Sequence, residues 1–312
     1  MTLVWVAAKR AGFLITPRWP RLTRELKRLA IIAAPAALAG GVVQINLLIG
    51  RQVASVFEGA YAWLYYADRL YQLPLGVVGI AIGIVLLPEL SRRLRSEDTA
   101  GGALAFNRAF EASLALTLPA TVALVAIPLP LISVLFERGE FSATDTYHTA
   151  IATAIYGFGL PAFVLQKVYQ PLFFAREDTK SPFYYAIFAL VVNAVIAIGL
   201  MNTVGYLAAA IGTTVASWAM LAGLWWGARK FGVASQIETA VFWRVAKMFF
   251  CSLVMGACLY WLGDVMAPYL AMAGIRYFAL GVLIVVGVGI YFALAHLTGA
   301  MPLRDITGML RR

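Results

Sequence analysis

Residues 65–76 read Tyr65-Tyr66-Ala67-Asp68-Arg69-Leu70-Tyr71-Gln72-Leu73-Pro74-Leu75-Gly76. They lie inside an apolar segment from about residue 59 to about residue 90, which is long enough to cross a membrane as a helix with residues to spare for tilt. An arginine near the centre of a bilayer costs roughly 3 kcal/mol on insertion scales, so Arg69 is expected to face a bundle interior or a water-filled cavity. The stretch therefore predicts a membrane helix with a charged, functional face.

The polar side chains around Arg69 follow helical spacing. Steps of three and four residues place Tyr61, Tyr65, Arg69 and Gln72 on one face, with Asp68 beside them. Neighbouring helical residues point about 100° apart, so Asp68 does not simply neutralise Arg69. This face predicts a substrate-binding surface that includes Tyr65, Asp68, Arg69 and Gln72. A buried ion pair that locks two helices together is the structural alternative.

A proline and three glycines follow the charged face. Pro74 lacks a backbone donor and leaves the carbonyl of Leu70 without its usual partner, which predicts a kink. Gly76, Gly79 and Gly83 then share a face and would let another helix approach closely. We therefore expect a hinge or packing role for Pro74 and these glycines.

The composition is that of an all-α, polytopic membrane protein. Of the 312 residues, 62% are hydrophobic and 13% are charged, whereas a soluble domain is nearer half apolar and a quarter charged. About eight membrane-spanning helices are predicted, near residues 29–57, 59–90, 104–135, 144–174, 183–201, 206–227, 248–265 and 277–297.

The distribution of positive charge predicts the orientation. With alternating loops, 20 of the 25 Lys and Arg fall on one side and three on the other, which places both termini in the cytoplasm. The net charge of +10 is thus explained by membrane topology, and no nucleic-acid partner is expected.

Other polar residues within the spans are candidates with alternatives. Gln44 and Arg51 in the first span could line a cavity, although interhelical hydrogen bonding explains Gln44 equally well. Lys167 could face a cavity or extend its ammonium group to the membrane surface.

The sequence gives no sign of an enzyme. It has no phosphate-binding glycine loop, no HExxH motif and no nucleophile elbow. Its two histidines, His148 and His296, stand alone, and Cys251 and Cys258 are expected to be buried thiols. We therefore expect a transporter without a metal or cofactor.

Two motifs resemble those of one family, the MurJ (MviN) lipid II flippases. The first is Tyr66-Ala67-Asp68-Arg69-Leu70, continued by residues 72–81 and by Leu86-Leu87-Pro88. The second is Phe174-Ala175-Arg176-Glu177-Asp178-Thr179-Lys180-Ser181-Pro182. Their separation and Gln44-Ile45-Asn46 upstream fit the family as well.

The resemblance implies a domain organisation. The family is similar to the multidrug/oligosaccharidyl-lipid/polysaccharide exporters, with two six-helix lobes and two extra C-terminal helices. This chain resembles the second lobe with that pair: a basic lead-in (1–28), a six-helix lobe (29–230), a cytoplasmic link (231–247), two extra helices (248–300) and a basic tail (301–312).

The resemblance also implies a function and a location. The family moves lipid II, the undecaprenyl-diphosphate-linked peptidoglycan precursor, across the bacterial inner membrane by alternating access, and Arg69 would contact the diphosphate. The second motif implies a role for Arg176, Asp178, Thr179 and Pro182 in the turn. Membrane lipids and a separately encoded N-terminal lobe are further expected partners. The acidic ligands of the sodium site found in some members are missing, so no metal is expected.

Two alternatives to a flippase remain open from the sequence. One is a related exporter of a polysaccharide-linked lipid or a drug, and the other is a truncated or split half transporter without activity of its own. An enzyme is the weakest alternative, because no nucleophile or metal site accompanies Tyr65, Asp68 and Arg69.

Overall fold

The computed structural model describes residues 23–96, 98–272 and 274–301, together with Trp5 and Gly12. Most of the predicted lead-in (1–28) and nearly all of the predicted tail (301–312) lie outside these residues. The helices are α1 (Arg24–Ser55), α2 (Ala60–Leu75), α3 (Ala81–Arg95), α4 (Thr99–Ala126), α5 (Pro128–Phe136), α6 (Ala143–Phe174), α7 (Lys180–Val204), α8 (Leu207–Ala228), α9 (Thr239–Val265), α10 (Ala267–Ala271) and α11 (Arg276–Leu297).

Side-chain caps fix where several of these helices begin. The Thr23 hydroxyl accepts a hydrogen bond from the Leu26 N–H at the start of α1, and Asp98 accepts one from the Gly101 N–H at the start of α4. At α6, Ser142 and Asp145 each cap the other's backbone N–H, which is a capping box. Local side-chain bonds therefore stabilise these boundaries.

The protein is an all-helical membrane protein. Six helical segments among the described residues are long and apolar enough to cross a bilayer: Thr99–Ala126, Ala143–Phe174, Lys180–Val204, Leu207–Ser235, Thr239–Val265 and Arg276–Leu297. The two N-terminal spans that the sequence also predicts, at 29–57 and 59–90, stay predictions, and so does the total of eight.

Helix α6 lies at the centre of the bundle. It packs against α2, α4 and α8, and α7 lies between α8 and α1 on one side. On the other side, α9 packs against α4 and α11. Residues such as Leu160, Tyr169 and Leu172 of α6 are almost fully buried by these neighbours.

A glycine permits the close contact between α7 and α8. A methyl group at Gly212 would lie 3.0 Å from the carbonyl oxygen of Asn193 and 3.3 Å from the Cβ atom of Ala197. Any side chain there would push the two helices apart, which is the role that small residues have between membrane helices.

The chain between α2 and α3 is helical but not regular. Pro74 lies inside α2, and a π-helical segment, Gly76–Ile80, follows before α3 begins at Ala81. Prolines and π-helical turns are both known causes of helix distortion. The helix distortion that Pro74 predicts is therefore present, as the wider π-helical turn at Gly76–Ile80.

Two helix boundaries differ from the predicted spans. The segment predicted at 104–135 is two helices, because Ile127 leaves the helical region (φ −128°, ψ 43°) and Pro128 begins α5, where its missing N–H is not needed. Helix α9 begins at Thr239 rather than at 248. Its first turns carry Arg244 and Lys247, which lower the hydropathy but bond to Glu111 and to the Thr298 carbonyl.

Candidate functional site

A small cavity of about 120 Å³ lies between α1, α2, α6 and α8. It is lined by Asn46, Leu47, Gly50, Arg51, Ala54, Tyr61, Leu64, Tyr65, Asp68, Tyr156 and Thr213. Of the predicted substrate-binding residues, Arg51, Tyr65 and Asp68 lie on its wall. Arg69, Gln72 and Gln44 are exposed on α2 and α1 outside that wall.

Arg69 lies on an exposed ladder of side chains along α2. Its guanidinium carbon lies 4.9 Å from the centre of the Tyr65 ring, and the Tyr65 ring stacks on Tyr61 at 6.3 Å. The two tyrosines are about half exposed. A cation over an aromatic face keeps its N–H donors available at the edge, so this ladder can bind an anion.

Asp68 is directed to a different partner. Its carboxylate accepts a hydrogen bond from the Gln72 side-chain amide, one helical turn along. In the part of the chain that the structure describes, no ion pair joins Asp68 to Arg69. The arginine's charge is therefore not matched by a direct contact with its neighbour.

The first helix contributes part of the cavity wall and one interhelical hydrogen bond. Arg51 lines the cavity, whereas Gln44 is exposed two turns earlier. Asn46, between them, accepts a hydrogen bond of 2.5 Å from the amide of the fully buried Asn193 on α7. Interhelical hydrogen bonding, one of the two roles considered for Gln44, is thus observed for Asn46.

The proline and the glycines after Arg69 differ in their surroundings. A methyl group at Gly79 would lie 3.5 Å from the Cγ atom of Lys167 and 3.9 Å from Val164, in ordinary contact with α6. A methyl group at Gly76 would meet open space. Pro74 is half-buried, and the surroundings of Gly83 lie outside the described residues.

The second motif forms a closed turn between α6 and α7. The Arg176 guanidinium lies 4.2 Å from the centre of the Phe231 ring and donates to the Leu172 carbonyl. Asp178 accepts hydrogen bonds from the Ser181 N–H and hydroxyl and from the Lys230 ammonium, all within 3.0 Å. Thr179 is at the N-cap position of α7, and Pro182 is buried in the first turn of that helix.

These bonds determine the charge state of Asp178. Partial burial raises the pKa of its carboxyl, but hydrogen bonds from Lys230 and Ser181 outweigh burial and hold that pKa below the ordinary value. The turn therefore keeps an ionised carboxylate that ties α7 to residues 229–235, which follow α8.

Some residues at the site were not identified from the sequence. Tyr156 of α6 lines the cavity and stacks on Tyr71 of α2 at 5.5 Å. Its position in a long apolar segment gives no signal that it meets α2. Away from the cavity, Asn107 is buried and ties α4 to the start of α9, through the Gln236 carbonyl and the Glu238 N–H.

Metal-binding groups are not clustered in the described structure. Among the described residues, no three His, Cys, Asp or Glu side chains lie together as ligands. His148 instead bonds to the Tyr206 hydroxyl at 3.1 Å and stacks on Trp63, and Cys251 is buried. The site's chemistry is thus that of guanidinium, amide, carboxylate and phenol groups.

Comparison with known proteins gives one consistent family. A sequence model described as lipid II flippase MurJ matches residues 2–280. A curated relative from Rhizobium tropici, named probable lipid II flippase MurJ, is 43% identical over 315 residues. That alignment covers all of this chain and 58% of the relative, so the chain spans less than two thirds of the relative's length.

Solved structures agree on the fold. A lipid II flippase MurJ in an inward closed conformation superposes with a TM-score of 0.73 at 21% identity, covering 98% of this chain and 60% of that one. An outward-facing multidrug resistance MATE transporter gives 0.53 at 15% identity, covering 86% and 63%. The fold is therefore shared with both transporters, and by the family match and the relative's identity the chain belongs to the MurJ family of lipid II flippases.

Proposed function

We propose that this chain is the part of a lipid II flippase that carries the Arg69 side of the substrate cavity. The observation that carries the proposal is the exposed guanidinium of Arg69, stacked on Tyr65 and without an ion-pair partner in Asp68. A charge maintained in an otherwise apolar helix calls for an anionic ligand. The diphosphate of lipid II, the substrate in the family's name, supplies one.

Arginine suits that ligand for geometric reasons. Its guanidinium is always charged and offers paired donors that match two oxygens of a phosphate group. Arg51, on the wall of the neighbouring cavity, would contribute a second positive charge. Gln72 holds Asp68 aside, which limits repulsion between the carboxylate and the incoming diphosphate.

The irregular helix is our proposed moving part. Pro74 and the π-helical segment reduce the regular hydrogen bonding next to Arg69, and Gly79 contacts α6 without a side chain of its own. Alternating access requires such an element to rock while the rest of the bundle stays packed. Gly76, which has open space, would absorb the change in backbone angles.

The topology completes the proposal. Residues 29–230 would form one six-helix lobe and residues 248–300 the additional pair, in the inner membrane with both termini cytoplasmic. In the R. tropici relative, the remaining 42% of the length belongs to the same polypeptide. The comparisons thus give no support to a separately encoded N-terminal lobe as partner.

The test is complementation in cells depleted of their own lipid II flippase. A chimera in which this chain replaces the matched region of the R. tropici relative should restore growth and the translocation of lipid II. Arg108→Ala, which changes an exposed arginine on α4, is the control and should restore both. A chimera that inserts in the membrane yet leaves lipid II on the cytoplasmic side would contradict the proposal.

A further inference from the structure

A second and larger cavity lies at the other side of the bundle from α1. It has a volume of about 660 Å³, within the usual range of ligand sites, and opens between the ends of α4 and α9 and the short helices α5 and α10. It shares no lining residue with the cavity beside Arg69. A ligand in this cavity would therefore not occupy the cavity beside Arg69.

The walls of this cavity are amphipathic. Apolar side chains line one part, among them Val125, Ile127 and Leu270. The lining also includes one cation, Arg276, and two carboxylates, Glu137 and Asp264. Such a wall can contact both a hydrocarbon chain and a charged group.

The polar groups of the wall are positioned by hydrogen bonds but keep free hydrogen-bonding capacity. Arg276 donates one hydrogen bond to the Glu137 carbonyl at 3.2 Å and another to the Tyr277 hydroxyl at 3.1 Å, which leaves further N–H donors. The Glu137 carboxylate accepts from Thr146 at 2.8 Å. Within the described residues, Asp264 has no ion-pair partner.

The opposite charges decide between classes of ligand. Glu137 and Asp264 disfavour a ligand that carries only negative charge next to them. Arg276 supplies positive charge, and the Arg138 side chain bonds to the same Tyr277 hydroxyl that Arg276 contacts. Arg276 in turn disfavours a simple cation. A ligand with one negative and one positive group can satisfy both.

The surrounding aromatic residues indicate the depth of the cavity in the membrane. Tyr260 lines the cavity, and Trp261, Tyr269 and Tyr277 are next to lining residues in the chain; all four side chains are about half exposed or more. Exposed Tyr and Trp residues of this kind mark the level of the lipid headgroups. The charged end of the cavity is therefore where a headgroup lies.

We propose that this cavity binds one zwitterionic aminophospholipid, such as phosphatidylethanolamine. Its phosphate lies at Arg276, its ammonium at the carboxylates of Asp264 and Glu137, and an acyl chain along the apolar wall. The bound lipid fills the space between α4 and α9 and links the last two long helices, α9 and α11, to the rest of the bundle.

Native mass spectrometry of the delipidated full chain tests this directly. Phosphatidylethanolamine should bind roughly tenfold more tightly than phosphatidylglycerol, since losing a charge-assisted contact costs about that factor. Arg276→Gln and Asp264→Asn should each weaken phosphatidylethanolamine binding by roughly the same factor. Glu140→Gln, an exposed carboxylate outside the cavity, is the matched control and should bind as the wild type does.

Several results would overturn the proposal. They are equal affinity for the two phospholipids, unchanged binding in both variants, or tighter binding of undecaprenyl phosphate. Arg276→Gln also removes a hydrogen bond to the Glu137 carbonyl and could change the fold locally. A labelling experiment on the wild-type protein avoids this problem. A photoreactive phosphatidylethanolamine should label peptides within residues 125–146 and 260–276, and labelling confined to other segments would count against the site.

Discussion

The two charged motifs of this chain have opposite environments. On α2, the Arg69 guanidinium contacts an exposed tyrosine ring and no carboxylate among the described residues. In the turn between α6 and α7, Arg176 lies over Phe231 and donates to a carbonyl, and Asp178 accepts three hydrogen bonds. The first motif leaves its charge available, whereas the second uses its charges internally.

The difference separates a ligand site from a structural connection. Charged groups whose bonds are already made stabilise the fold, and removing one leaves its partners unsatisfied. A charged group without partners gives the fold little and must be explained by what it binds. Substitutions in the two motifs should therefore affect different properties of the protein.

The largest effect is expected from Arg69→Ala in the chimera. Growth rescue should be lost, because the diphosphate loses its charge-assisted contact, while the melting temperature in detergent stays near that of the wild type. Arg69→Lys should also be impaired, since an ammonium cannot bind two oxygens side by side. Full rescue by Arg69→Ala would remove the distinction between the motifs.

The next effect is expected from Asp178→Ala. It removes the acceptor of three hydrogen bonds and should lower the free energy of unfolding by roughly 1–3 kcal/mol. Lys230→Ala removes one of these bonds at a half-exposed position and should cost about 0–1 kcal/mol. Lipid II translocation per folded molecule should be retained in both variants, and its selective loss would make the turn part of the site.

Acid should weaken the turn through the same carboxylate. Because the folded protein holds the Asp178 pKa below its ordinary value of 3.8, this group adds stability above that pH, and the contribution is lost as pH falls through the lower folded value. The melting temperature of Asp178→Asn should thus lie below that of the wild type at pH 7 and converge with it as the pH falls below about 3.8. A constant difference across this range would contradict the assignment.

The smallest effect is expected from Tyr65→Leu. The ring positions the Arg69 guanidinium, and an exposed cation–π contact contributes about 0.5–1 kcal/mol. Translocation by the chimera should fall by roughly twofold to fivefold with folding unchanged. Tyr184→Leu, an exposed tyrosine on α7, is the control and should translocate normally.

The sequence predicted the helices better than their contacts. Hydrophobic length identifies α6, α7, α8 and α11 to within a few residues, because the cost of burying polar backbone in lipid leaves little choice. It does not predict that Ile127 breaks the helix while Pro119 does not. That outcome depends on whether neighbouring groups satisfy the freed carbonyl.

The candidate site was predictable mainly along α2, with Arg51 of α1 as a further wall residue. Spacing on α2 brings Tyr61, Tyr65 and Arg69 together, since residues three and four apart share a face. The meeting of Tyr156 with Tyr71, and of Asn46 with Asn193, depends on how separate helices pack. No local pattern contains that information.

The most direct measurement is the affinity of the purified chimera for lipid II, determined by native mass spectrometry for the wild type, Arg69→Ala and Arg108→Ala. The account predicts that Arg69→Ala weakens binding by roughly tenfold to a hundredfold, while Arg108→Ala binds as the wild type does. Equal affinity of all three proteins would show that the exposed arginine on α2 does not bind the diphosphate.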